Sequence, residues 1–224
     1  MTDPRPGFEV ITFPTPRELA RRVPRLLVGI VLLGVGIAMM VRARLGLAPW
    51  DVLHQGLAER TGVSIGVVII VLGLAILLLW IPLRQRFGIG TVINTLTVGL
   101  VADAAVGAIG AQHDLAIRWA LLLGGILVGA FGMALYIGAG LGPGPRDGLM
   151  TGIAAKGFPI WIVRTVLELI ALAIGYALGG DIGAGTVIFA FTIGPLGHWF
   201  LERLHLGPSG VDIGTDLGPG VSAD

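Results

Sequence analysis

The sequence predicts an all-α membrane protein: six transmembrane helices arranged as two inverted three-span repeats, each with a short half-helix or interfacial helix. Three observations lead there. Hydrophobic residues make up 54% of the 224 residues and charged ones only 13%, against about a quarter charged in soluble domains. Six apolar stretches approach the roughly 20 residues that a helix needs to cross a hydrocarbon core of about 30 Å. A Leu-Gly-x-x-Pro-x-Asp element recurs in register, at Leu45–Asp51 and Leu141–Asp147.

Composition excludes several function classes. A net charge of +1 offers no basic surface for nucleic acid. Cysteine is absent, which removes disulfides, thiolate metal sites and cysteine nucleophiles together. Histidines are scattered and serine is scarce, so no Ser/His/Asp set or metal-spaced cluster is visible. The chain is therefore expected to be no enzyme and to hold neither cofactor nor metal. No Gly-x-x-x-x-Gly-Lys-Ser/Thr loop is present, which excludes ATP-driven transport by this chain alone. The 37 glycines suit close helix packing in lipid.

Residues 1–25 read as a basic amino-terminal segment, followed by a retained first span rather than a cleaved signal. The predicted spans are Leu26–Val41, Ile65–Leu83, Ile89–Ile109, Trp119–Gly140, Phe158–Leu178 and Ile182–Phe200. The first repeat then covers 26–109 and the second 110–203. Residues 204–224 form a tail whose Gly-, Pro- and Asp-rich part, from Gly207, cannot bury apolar area and is expected to be disordered. Basic residues in short loops set the orientation. With the amino terminus inside, Arg5, Arg17, Arg21, Arg22, Arg25, Arg84, Arg86, Arg146, Lys156 and Arg203 lie inside; Arg42, Arg44, Arg60 and Arg118 lie outside. The bias favours both termini in the cytoplasm.

The repeat emerges on shifting the chain by 96 residues. Gly29 falls on Gly125, Gly36 on Gly132, Pro49 on Pro145 and Asp51 on Asp147. With one gap, Gly88 and Gly90-Thr91-Val92 fall on Gly183 and Gly185-Thr186-Val187, and Gly99 on Gly194. Proline and aspartate are scarce, so their joint recurrence carries more weight than the glycines. Three spans is an odd number, so a second copy must enter the membrane upside down, the plan of many transporters.

Pro49–Arg60 and Pro145–Lys156 read as helices too short to cross. Proline suits the first helical turn, and Asp51 and Asp147 then lie near the positive end of the helix dipole. Either these are half-helices whose amino ends border a solute path, or each is a capped corner with an ordinary first-turn aspartate. Trp50 reads as an interfacial anchor rather than a substrate platform. Arg146, its counterpart, either binds an anionic group or simply obeys the positive-inside rule.

Arg164 and Glu168 are four apart in the fifth span and can pair. A charge at that depth costs a few kcal/mol unless it is paired or wet. The pair reads as a proton-coupling or substrate-binding carboxylate with its partner, or as a structural pair. Asn94 is a further polar group on the path. Asp103 and His198 occupy matching repeat positions, and either meet as an ion pair or each touch interfacial water. Thr91 and Thr186 read as helix caps. Gly125-x-x-x-Gly129 and Gly175-x-x-x-Gly179 give close helix approach within the monomer or in a homodimer.

The stretch Leu45-Gly-Leu-Ala-Pro-Trp-Asp-Val-Leu-His-Gln-Gly-Leu57 resembles the YczE/YyaS/YitT family of bacterial integral membrane proteins. So do Gly62-Val-Ser-Ile-Gly66, Trp80-Ile-Pro-Leu-Arg-Gln-Arg86, Gly88-Ile-Gly-Thr91 and Gly142-Pro-Gly-Pro-Arg-Asp147. The resemblance covers roughly residues 25–203. It implies a small multi-span protein of the bacterial plasma (inner) membrane, and brings no functional residues with it.

The expected function is a small secondary transporter, an exporter of a small solute or ion. The candidate path residues are Glu168, Arg164, Asp51, Asp147, Pro49, Pro145, Arg146, Asn94, Asp103 and His198. The alternative is a scaffold or regulator supporting another membrane protein, with a passive channel ranked third. Apart from the bilayer, the expected partners are a small-molecule or ion substrate and a second copy of the chain.

Overall fold

The computed structural model describes residues 15–204. Arg5, His205 and the tail expected to be disordered lie outside the described residues. Within them every regular element is an α-helix: α1 (Pro16–Ala43), α2 (Pro49–Thr61), α3 (Ile65–Leu83), α4 (Ile89–Ile109), α5 (Leu115–Gly138), α6 (Pro145–Ala154), α7 (Ile160–Ala177) and α8 (Ala184–Leu204). All but α2 and α6 are long and apolar enough to cross a bilayer. The chain is a multi-pass α-helical membrane protein.

Local chemistry sets the helix starts. Thr15 caps α1 in a capping box: its hydroxyl accepts from the Glu18 amide at 3.4 Å, and Glu18 Oε2 accepts from the Thr15 amide at 2.8 Å. The first helix therefore begins ten residues before the expected Leu26 and carries Arg17, Arg21, Arg22 and Arg25 with it. Arg22 is buried there because its guanidinium donates to the Ala139 carbonyl at 2.9 Å. Ser64 and Asp114 cap α3 and α5. The remaining boundaries move by a few residues, as helix ends commonly do.

The centre of the molecule is the pairing of α1 with α5. A Cβ on Gly29 would lie 2.8 Å from the Gly132 carbonyl oxygen, and one on Gly36 would lie 2.8 Å from that of Gly125. Contact recedes along α5 as α1 advances, so the two helices run antiparallel. Small residues let the backbones touch, which is what holds helices together where lipid removes the hydrophobic drive. The glycine motif of α5 thus packs within the chain. Gly175 does likewise, against Leu53 of α2.

Further helices attach in matched pairs: α4 to α1 and α8 to α5, α7 to α2 and α3 to α6. The connections are reciprocal. Gly90 donates its amide to the Leu45-like carbonyl of the other half, Leu141, at 2.8 Å, and Gly185 donates to that of Leu45 at 2.7 Å. Gly46 and Gly142, which follow these leucines, adopt φ of +104° and +124°. An L side chain there is strained, so the recurring Leu-Gly has a backbone reason. Thr91 and Thr186 accept from the amides of Gly88 and Gly183 at 3.3 Å, as expected of caps.

One pair breaks the pattern. α3 and α4 are packed closely, whereas α7 and α8 scarcely touch. Asp103 on α4 accepts from the Ser64 hydroxyl and from the Gly66 amide at 2.8 Å, stapling α4 to the start of α3. A Cβ on Gly99 would meet the Gly66 backbone, whereas one on Gly194, its sequence counterpart, would meet nothing within 4 Å. The helices α7 and α8 thus stand apart.

Candidate functional site

The short helices are where the two halves converge. Pro145, the first residue of α6, packs near Gly73 at mid-length of α3, its ring 3.8 Å from where a Gly73 Cβ would be. The α6 helix then runs toward the end of α3, with Gly148 against the Trp80 ring and Gly152 against Gln85. Trp80 Nε1 donates to the Pro145 carbonyl at 3.1 Å. The α2 helix leans on the end of α7 in the same manner: Gly56 meets Gly175, and Arg60 Nε donates to the Leu178 carbonyl at 3.2 Å. Each short helix thus points its carboxyl end outward and its amino end into the bundle.

Both amino ends border one cavity of about 120 Å³, room for several waters. Pro49, Trp50 and Asp51 line it from α2, and Pro145, Arg146 and Asp147 from α6. Asn94 lines it from α4, and Arg164 and Glu168 from α7. Phe189 and Ile193 line it from α8. Eight of the ten candidate path residues are therefore brought together.

The other two are elsewhere. Asp103 serves as the α3–α4 staple. His198 is 3.0 Å from Glu202 on its own helix, with 57% of its side chain exposed. The two make no ion pair with each other, because each finds a nearer partner on its own side of the bundle.

Two sequence expectations are corrected here. Trp50 is no interfacial anchor: it is 8% exposed and walls the cavity. Its helix dips inward from the end of α7, so the first turn lies deepest. The capped-corner account of Asp51 and Asp147 also fails: among the described residues neither aspartate bonds the amide that opens its helix. Asp51 Oδ1 instead lies 3.1 Å from His54 Nδ1, with both side chains buried. Asp147 Oδ2 accepts from the Tyr136 hydroxyl at 2.5 Å. Arg146 rests over the Trp50 ring, its Cζ 5.9 Å from the centroid, within cation–π range.

On α7, Arg164 Nε donates to Glu168 Oε1 at 3.0 Å as the spacing predicts, with side chains 49% and 28% exposed. Among the described residues, three side chains at the site carry donors without an acceptor. Trp50 Nε1 and Asn94 Nδ2 are buried without a hydrogen-bond partner. Among the described residues Arg146 forms no hydrogen bond or salt bridge.

His54 and Tyr136 were missed from the sequence. Asp51-x-x-His54 places both on one helix face, a signal that was available. Nothing local in the sequence ties Tyr136 on α5 to Asp147 on α6.

A family model for a family of unknown function, DUF6198, matches residues 20–202. The chain belongs to this family. The DUF6198 match spans all six long helices and both short ones. The chain is 40% identical to an uncharacterised protein of Haemophilus influenzae over 178 residues, covering 79% of this chain and 82% of that one. It is 32% identical to the uncharacterised membrane protein YczE of Bacillus subtilis over 185 residues, 80% of this chain and 84% of the relative. The resemblance read from the Pro-Trp-Asp segment is thereby shown. No solved structure matches this DUF6198 chain.

Proposed function

We propose that this protein is a small secondary transporter that exports a small solute across the bacterial inner membrane. In this reading it is built from two three-span units inserted in opposite senses, with both termini in the cytoplasm. The observation that carries the reading is the cavity in which two half-helix amino ends meet beside Arg164 and Glu168. Inverted repeats with discontinuous helices at mid-depth are the common plan of secondary transporters. The antiparallel passage of α1 and α5 and the reciprocal Gly90–Leu141 and Gly185–Leu45 bonds support the inverted arrangement.

Glu168 is the coupling carboxylate in this scheme. It lies half-way along α7, it reaches the cavity, and protonating it would release Arg164. Ionisable groups at such depth are costly and mark substrate or proton routes. The test is flux in proteoliposomes under an imposed proton gradient, comparing the wild type with Glu168→Gln. The variant is expected to stay folded and lose coupled flux. Unchanged flux removes Glu168 from the mechanism.

A second reading, a scaffold for another membrane protein, is favoured by one observation: the Arg164–Glu168 pair is partly exposed on α7, which scarcely touches α8. A partner helix, or a second copy of the chain, seated there would cover it. Co-purification of one stable partner, with no flux in reconstitution, selects that reading.

A further inference from the structure

We infer that the cavity binds a singly charged carboxylate group where the amino ends of α2 and α6 converge, with Arg146, Trp50 Nε1 and Asn94 Nδ2 as its donors. The inference rests on the transport reading in taking this cavity as the solute's site.

The two fully buried side-chain atoms at the site that lack a hydrogen-bond partner, Trp50 Nε1 and Asn94 Nδ2, are both donors. Asp51, Asp147 and Glu168 each have a partner, in His54, Tyr136 and Arg164. Trp50 and Asn94 are 8% and 5% exposed, line the cavity, and carry donors without acceptors. Leaving a buried donor unmatched is destabilising, so a ligand oxygen at this point satisfies what the protein leaves open.

Two further features point the same way. The first turns of α2 and α6 both line the cavity, so the positive ends of two helix dipoles add to these donors, alongside the first-turn carboxylates of Asp51 and Asp147. The Arg146 guanidinium lies over the Trp50 ring. That contact fixes a planar fork whose geometry suits a carboxylate. Three carboxylates against two arginines line the cavity; this lining opposes any anion, and a doubly charged phosphate about twice as strongly as a carboxylate.

The carboxylate has two physical sources. It arrives on a soluble organic acid, or on an amphiphile whose chain lies in the bilayer and whose head enters between α7 and α8, where Phe189 and Ile193 supply apolar walls.

The full chain in phosphatidylcholine nanodiscs is titrated calorimetrically with butanoate and with dodecanoate, against empty nanodiscs. Dodecyltrimethylammonium serves as the probe of opposite charge. At least one carboxylate is expected to bind saturably, and Arg146→Gln to weaken it about tenfold or more, as loss of a charge-assisted bond does. Trp50→Phe keeps the ring, removes the indole donor, and is expected to weaken binding too. Saturable binding of butanoate identifies a soluble acid; binding of dodecanoate alone identifies an amphiphile. The inference is overturned if neither carboxylate binds saturably, if both variants bind as the wild type does, or if the ammonium probe binds equally. Binding without flux in proteoliposomes would retire the transport reading and keep this one; flux without such binding would do the reverse.

Discussion

The Arg146 guanidinium and the Trp50 indole lie 5.9 Å apart, Cζ to ring centroid, although they open two different short helices. Each of these helices packs outward against a span of the opposite half, α2 on α7 and α6 on α3. Their first turns are thereby pressed together in the bundle interior, and the cavity is what remains between them.

That convergence decides how the opposed insertion is best tested. Trp50 and Arg146 meet at one depth, so labelling them cannot separate the two senses of insertion. The far ends of the short helices can. The chain has no cysteine, so Thr61→Cys and Lys156→Cys, both at exposed positions, each give one reactive thiol. An impermeant maleimide applied to intact cells is expected to label one, and the other only after permeabilisation. Labelling of both from one side rules out the inverted arrangement.

The α1–α5 contact sets much of the stability. A methyl group at Gly36 meets the α5 backbone, whereas one at Gly194 meets nothing. Gly36→Ala is expected to cost about 1–3 kcal/mol, the range for overpacking, and Gly194→Ala to stay within about 0.5 kcal/mol. Thermal unfolding in detergent, followed by tryptophan fluorescence, compares the two.

Asp103 and His198 align in the sequence repeat but do different work. Asp103→Leu strands the Ser64 hydroxyl and Gly66 amide that it now accepts from, and is expected to destabilise by about 1–3 kcal/mol. His198→Ala removes only an exposed contact with Glu202, for which about 1 kcal/mol or less is expected. Equal melting shifts for the two would show that Asp103 is no staple.

The Arg164–Glu168 pair should behave as a unit. Removing one partner leaves a lone charge half-way along α7, so Arg164→Gln is expected to lower the melting temperature in nanodiscs more than the Arg164→Gln/Glu168→Gln double variant does. A double variant no more stable than the single one would mean that water solvates each group independently.

Much of the fold was legible in the chain. Hydropathy fixed the six long helices because a bilayer-crossing helix must satisfy its backbone internally and present apolar side chains throughout. The recurring Pro-x-Asp located the two short helices, and the spacing of Arg164 and Glu168 located their pair, since both signals are local. The start of α1 was misplaced because hydropathy does not register the Thr15–Glu18 capping box.

By itself, then, the sequence determined the solvent of this protein, its spans and its paired short helices. These follow from composition and from periodicities of a few residues. Only the tertiary structure decided that Trp50 is a cavity wall, that Asp147 answers to Tyr136, and that α7 and α8 stand apart while α3 and α4 are stapled. Those outcomes depend on where glycine-lined helices of the two halves come into backbone contact, and residues far apart in the chain carry no local signal of meeting.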